Sequence, residues 1–119
     1  MNTNEALHST AGFRVYCCEE GGWTVVECHG RLNSQNAPLL REEVRELIRS
    51  RKRILLDLKE VPMMDSSGLG TIVSLLISAR TRGCQIQVSN ANQCIRDLFS
   101  MANVLSLFEH AGRYHGKTI

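Results

Sequence analysis

The alternation of strand-like and helix-like segments constrains the fold of this chain more than any other feature. Four segments have the β-branched content or apolar alternation of strands: Phe13–Cys18, Trp23–His29, Ile54–Leu58 and Cys84–Ser89. Turn residues at 19–22 join the first two of these into a hairpin. Amphipathic helical patterns follow the second, third and fourth strands. The order β-β-α-β-α-β-α predicts an α/β fold, a mixed sheet of about four to five strands with helices packed against it.

Each helical pattern has one face that is predicted to be buried. The three faces consist of Leu40, Val44, Leu47 and Ile48; of Leu69, Ile72, Val73 and Leu76; and of Ile95, Leu98, Phe99 and Ala102. Pro38 suits the first turn of the first helix, and Gly83 suits the end of the second. Asn90 and Asn92 are candidate caps for the third helix.

The chain length of 119 residues fits a single domain. Residues 1–12 are polar and aperiodic, which predicts a flexible leader. We expect the folded domain to span 13–110, with a short apolar closing segment at 105–108. Residues 111–119 are predicted to form a loose C-terminal tail.

The start of the chain lacks the basic and apolar regions of a signal peptide, and no apolar run approaches the ~20 residues of a membrane span. We therefore expect a cytoplasmic protein without a membrane span. The net charge of +2 does not indicate nucleic-acid binding. The basic run at 49–53 lacks interleaved aromatic residues, and cations at the end of a helix are favoured by the helix dipole.

The five cysteines include no C-x-x-C pair, and an odd number argues against a disulfide framework. Cys28 and Cys84 lie in apolar strand-like runs, where a free thiol behaves as a small hydrophobic group. The adjacent Cys17 and Cys18 point to opposite faces of a strand, which argues against a redox pair. The histidines show no metal-ligand spacing, so no metal site is predicted.

The string Asp65-Ser66-Ser67-Gly68-Leu69-Gly70 lies where an apolar strand ends and a helix begins. An aspartate there can accept hydrogen bonds from the first N–H groups of the helix, which makes Asp65 a candidate N-cap. Two glycines lower helix propensity and leave the backbone open to close approach by another surface. The string matches neither a nucleophile elbow nor a phosphate-binding loop, and no histidine follows Ser66 until His110.

Residues 61–70, with the sequence VPMMDSSGLG, resemble the signature of STAS domains, specifically of bacterial anti-sigma factor antagonists. The resemblance extends over residues 13–108 and includes the order of the elements. It implies a single STAS-type domain that is not an enzyme and needs no metal or organic cofactor. Proteins of this family bind an anti-sigma factor that is also an ATP-dependent serine kinase and thereby free a sigma factor. A phosphatase reverses the phosphorylation.

The resemblance also implies roles for individual residues. Ser66, the first serine after the aspartate, is the implied phosphorylation site, and Asp65 would orient it. The implied partner-binding surface consists of Met64, Asp65, Ser67, Gly68 and Leu69. We expect a monomer, since nothing in the sequence demands a larger assembly.

The turn after the second strand differs from many phosphorylated relatives. Those relatives have Gly-Glu-Leu-Asp, whereas this chain has Gly30-Arg31-Leu32-Asn33. Arg31 and Asn33 therefore occupy positions whose carboxylates are implicated in partner recognition, and we count both as partner-binding residues. The change predicts a partner with a more acidic facing surface. Alternatively, Arg31 pairs with a phosphate on Ser66.

The sequence leaves two other functions open. A STAS module that is never phosphorylated would act as a scaffold or subunit in a stress-sensing or lipid-transport complex, and the altered turn favours this. A small hydrolase that used Ser66 as its nucleophile would need an adjacent base, which the sequence does not supply.

Overall fold

The computed structural model describes residues 6–10 and 12–102. The chain passes through the elements β1 (Ala6–Thr10), β2 (Phe13–Glu20), β3 (Trp23–Gly30), α1 (Ala37–Ser50), β4 (Arg53–Glu60), α2 (Ser66–Thr81), β5 (Gln85–Ser89) and α3 (Gln93–Met101). The strands form one sheet in the order β1-β2-β3-β4-β5. β1, β2 and β3 pair antiparallel, while β3, β4 and β5 pair parallel. The predicted α/β fold with a mixed sheet is confirmed.

The prediction of a flexible leader over residues 1–12 is wrong for Ala6–Thr10, which form the edge strand β1. β1 pairs antiparallel with β2, and Thr10 lies opposite Phe13. An edge strand is held by backbone hydrogen bonds along one side, so it does not need an apolar alternation that a sequence would show. The predicted closing segment at 105–108 and the tail at 111–119 lie outside the described residues.

The side chains of the sheet alternate between two faces, as the pleat requires. Ile54, Leu56 and Leu58 of β4 lie in the main core together with the buried residues of α1, α2 and α3. The opposite face carries a smaller cluster made by Trp23, Val25 and Leu55. The three helices therefore pack on the same face of the sheet.

The buried face of α1 is the predicted one, with Leu40, Val44 and Ile48 in the core. The buried face of α2 is rotated from the prediction: Leu69 and Val73 are only partly buried, while Leu75 and Ala79 are buried. The N-terminal two thirds of α2 contain small and apolar residues on nearly every side. Hydrophobic periodicity therefore distinguishes its faces poorly.

The topology brings the N-termini of α1 and α2 to the same end of the molecule. Because β3, β4 and β5 are parallel, α1 and α2 both run antiparallel to the strands. Both helices therefore begin at the carboxyl end of these strands. In open α/β sheets, ligands bind outside the carboxyl ends of parallel strands. The loop 31–36 and the junction 61–65 lie at this end of the sheet.

Candidate functional site

The loop after β3 and the junction between β4 and α2 are joined through their backbones. The N–H of Leu32 donates to the carbonyl of Met63 at 3.1 Å, and the N–H of Asp65 donates to the carbonyl of Leu32 at 3.3 Å. Leu32 and Met64 form an isolated parallel bridge between the two segments. Arg31 is therefore held beside the segment that leads into Ser66, although the two lie far apart in sequence.

Asp65 caps the N-terminus of α2, as the sequence predicts. Its backbone is extended, and its Oδ1 accepts hydrogen bonds from the N–H groups of Ser67 at 2.9 Å and Gly68 at 3.1 Å. One carboxylate oxygen thus satisfies two N–H groups that have no partner within the helix. The negative charge at this end also complements the helix dipole.

Ser66 is the first residue of α2, and it is exposed. Ser67 is exposed beside it. The position places the Ser66 side chain at the surface of a helix start whose geometry is fixed by the Asp65 cap. A second protein can therefore reach the hydroxyl without local unfolding.

The side chain of Met64, a predicted partner-binding residue, points inward at this junction. Met64 is only 7% exposed and lies in the main core, whereas Met63 is 45% exposed. The junction is extended, so its successive side chains point in opposite directions. Two adjacent methionines give no sequence signal for which of them faces inward.

Gly68, also a predicted partner-binding residue, is buried at the first turn of α2. A Cβ placed there would meet the carbonyl oxygen of Leu32 and would lie 2.7 Å from Cγ of Met64. The glycine lets the first turn of α2 pack directly against the loop after β3. Gly70, by contrast, has nothing within 4 Å of the place where a Cβ would lie.

Of the remaining predicted residues, Asn33 and Leu69 make contacts within the fold, and Arg31 is exposed. Oδ1 of Asn33 accepts hydrogen bonds from the N–H groups of Gln35 at 3.0 Å and Asn36 at 3.1 Å, so it stabilises its own turn. Leu69 is partly buried and packs against the core. Arg31 is exposed, and its guanidinium lies at the surface of the loop.

Sequence reasoning missed a groove that begins beside this site. A cavity of about 440 Å³ lies between the N-terminal halves of α1 and α2, with Arg41 on one wall and Ser67, Gly70 and Thr71 on the other. Arg41 follows the exposed-face pattern of an ordinary amphipathic helix, so nothing in the sequence marks it. Only the packing of the two helices brings these residues together.

Residues 6–10 and 12–102, which the structure describes, contain neither a cluster suited to a metal ion nor a membrane-spanning helix. No group of three or more His, Cys, Asp or Glu side chains is placed there to hold a metal ion. None of the helices in these ranges is both long and apolar enough to cross a membrane.

Two curated proteins are similar to this chain in sequence. The anti-sigma-B factor antagonist of Bacillus subtilis (strain 168) is 25% identical over 91 residues, which cover 76% of this chain and 84% of that protein. The anti-sigma F factor antagonist of Paenibacillus polymyxa is 28% identical over 88 residues, which cover 72% of this chain and 75% of that protein.

Solved structures of the anti-sigma factor antagonist SpoIIAA of Bacillus share the fold. Its unphosphorylated form superposes with a TM-score of 0.66 at 17% identity, covering 77% of this chain and 81% of that one. Its phosphorylated form superposes with a TM-score of 0.63 at 17% identity, covering 77% of this chain and 84% of that one. The family model of the STAS domain matches residues 18–115. This chain belongs to the STAS domain family.

Proposed function

We propose that this protein is an anti-sigma factor antagonist whose binding is switched by phosphorylation of Ser66. In its unphosphorylated state it binds an anti-sigma factor that is also a serine kinase, and this binding releases the sigma factor. The kinase transfers the γ-phosphoryl group of ATP to the Ser66 hydroxyl, and a phosphatase removes it. The names of the two curated relatives support the class of partner.

The observation that carries the proposal is the exposed hydroxyl at the capped start of α2. A phosphoryl group adds about −1.5 to −2 charges at pH 7. The N-terminus of a helix tolerates this charge, because its N–H groups and dipole favour an anion. The fold can therefore accept the modification without rearrangement.

The effect on a partner is different from the effect on the fold. Asp65 is adjacent to Ser66, so a phosphate there would create a strongly anionic surface. A partner packed over Ser66 would meet both the added charge and the added volume. Docking would fail through local electrostatics and sterics.

The test begins with the protein purified from its own cells and analysed by mass spectrometry for phosphate on Ser66. Incubation with candidate serine kinases and ATP follows, with Ser66→Ala as the negative variant and Ser67→Ala as its matched control. We expect phosphate on Ser66 in the wild type and in the Ser67→Ala protein, and none at this position in Ser66→Ala.

Binding of the kinase partner provides the second arm of the test. The Ser66→Asp variant should bind the partner more weakly than the wild type does, and equal affinity would refute the switch. Persistent absence of phosphate on Ser66, with the partner still bound, would instead favour a STAS scaffold that is never modified.

A further inference from the structure

The groove between α1 and α2 is a second feature of the end of the molecule that carries Ser66. It has a volume of about 440 Å³ and is bounded by Pro38 and Arg41 of α1 and by Ser67, Gly70 and Thr71 of α2. Ser67 belongs both to this groove and to the exposed start of α2. A protein that covers Ser66 therefore lies next to the groove opening.

Gly70 keeps the groove open, and the packing of the fold does not explain it. Gly68 is required because a Cβ there would meet the loop after β3. A Cβ at Gly70 would meet nothing within 4 Å, and its backbone is ordinary helix. Glycine is the weakest helix former except proline, so this position lowers helix stability without a packing gain. Residues whose intrinsic preference disagrees with the element that contains them are characteristic of functional positions.

Arg41 gives the groove its charge. Its guanidinium reaches across from α1, and Nη2 donates to Oγ1 of Thr71 at 3.5 Å. The sequence of α2 has no charged residue from Ser66 to Ala79. Asp65, at the helix start, is not among the residues that line the groove. A cation at one wall of an otherwise uncharged groove is complementary to a carboxylate.

We propose that the groove receives an acidic side chain of the protein partner. The carboxylate pairs with Arg41, and the aliphatic part of the side chain lies over Gly70. The assignment rests on the proposed function, since it places the groove within the surface that Ser66 controls. It adds a recognition element that acts on the same partner: a phosphate on Ser66 repels the incoming carboxylate at the groove opening.

The probe is a short capped peptide of alternating Glu and Leu, with a Gln-for-Glu peptide as its neutral counterpart. Each peptide is titrated into the ¹⁵N-labelled protein. We expect saturable shifts of the amide signals of Ser67, Gly70 and Thr71 with the Glu peptide and weaker binding of the Gln peptide. Shifts centred on another surface, or no saturable shift, would overturn the groove as a site.

Two variants separate the groove from general attraction to a basic helix. Arg41→Gln should lower the affinity for the Glu peptide about fivefold, the effect expected from the loss of one exposed ion pair. Arg45→Gln removes the same charge one turn further along α1, where the side chain lines a different cavity, and should leave the affinity unchanged. Equal weakening by both variants would refute a specific role for Arg41. Gly70→Leu fills the groove and should abolish the saturable shifts while the amide spectrum stays folded.

A Ser66→Asp protein distinguishes failure of the groove from failure of the switch. Weaker peptide binding by Ser66→Asp supports both proposals. If Ser66→Asp and the wild type bind the Glu peptide equally, the groove stands and electrostatic control by Ser66 is wrong. If the wild type does not bind the Glu peptide although Ser66 is phosphorylated by its kinase, the proposed role of the groove is wrong and the proposed function stands.

Discussion

A single carboxylate oxygen organises the start of α2. Oδ1 of Asp65 accepts from the N–H groups of Ser67 and Gly68, which fixes the first turn in the helical conformation. Ser66 lies between the cap and these donors, so its backbone position is determined by the same contacts. The residue that prepares the helix therefore also positions the proposed phosphate acceptor.

Replacing Asp65 with alanine should lower the free energy of unfolding by about 1 kcal/mol, because two N–H groups lose their partner. Asp65→Asn keeps an oxygen at the same position and should retain most of the stability. Urea denaturation followed by circular dichroism measures both variants. An Asp65→Ala protein as stable as the wild type would mean that water replaces the cap without loss.

The buried thiol of Cys28 differs chemically from the exposed thiol of Cys94. Burial raises the pKa of Cys28 from 9.0 to about 12, with smaller contributions from the charges of Asp57 and Glu27. The thiolate is the reactive form of cysteine, and a pKa three units higher lowers its population about a thousandfold at neutral pH. Iodoacetamide should therefore modify Cys94 in the folded protein and spare Cys28, as peptide mass spectrometry would show. Comparable modification of both under native conditions would contradict the burial of Cys28.

The same pKa shift predicts a pH dependence of stability. In the unfolded chain Cys28 loses its proton near pH 9, whereas in the folded protein it keeps the proton until about pH 12. Between these values the folded state binds more protons, so the free energy of unfolding falls as pH rises. The contribution is about 1.4 kcal/mol per pH unit. Urea titrations between pH 8 and pH 10 on the wild type and on Cys28→Ala should show a steeper decline for the wild type, and parallel declines would refute it.

Within α2, two glycines only two positions apart have opposite structural roles. A methyl group at Gly68 would collide with the Leu32 carbonyl and the Met64 side chain, while one at Gly70 would enter open space. Gly68→Ala should lower the free energy of unfolding by about 1–3 kcal/mol, the usual cost of overpacking. Gly70→Ala should raise it by up to about 1 kcal/mol through helix propensity.

Each of these variants is the control for the other, since both make the same chemical change in the same helix. Thermal unfolding midpoints should move in opposite directions. If Gly68→Ala were as stable as Gly70→Ala, the loop after β3 would have to move away from α2 at little cost. The close approach of Leu32 would then not be a determinant of the site.

The order of β2 to α3 and the buried face of α1 could be predicted from the sequence, whereas the buried face of α2 and the existence of β1 could not. The burial of α1 follows from its strong periodicity, and the hairpin of β2 and β3 follows from its turn. The face of α2 is ambiguous because apolar residues surround it. β1 has the sequence ALHST, which shows no apolar alternation, and it pairs with β2 through its backbone.

The candidate site was predictable where a residue acts locally. Asp65 caps the helix that follows it, and Asn92 likewise caps α3 by accepting from Ile95. Asn90 was an equally good candidate cap, but it adopts φ 62° and donates to Asp57 on the neighbouring strand. The inward position of Met64 was hidden as well, since it depends on a contact with a distant loop.

At the scale of the whole molecule, parallel strand order assembles the site. It brings the starts of α1 and α2 to the carboxyl end of the parallel strands, where the loop 31–36 forms backbone hydrogen bonds with the junction 61–65. A sequence shows that two helices follow two strands, but it does not show which side chains face each other across the gap. Arg41 therefore became visible only through its contact with Thr71.

The proposed switch predicts that a charge on Ser66 leaves the global fold unchanged. A negative charge at a helix N-terminus is stabilising by about 0.3–1 kcal/mol, while repulsion from the adjacent Asp65 acts in the opposite direction. Ser66→Asp should therefore unfold within about 1 kcal/mol of the wild type. Its amide signals should shift only around α2's first turn and the loop that contacts it. Widespread shifts, or a loss of several kcal/mol, would show that the charge acts by disrupting the domain. Weaker partner binding would then result from unfolding of the domain. The proposed mechanism, a change of charge on a surface of unchanged shape, would be wrong.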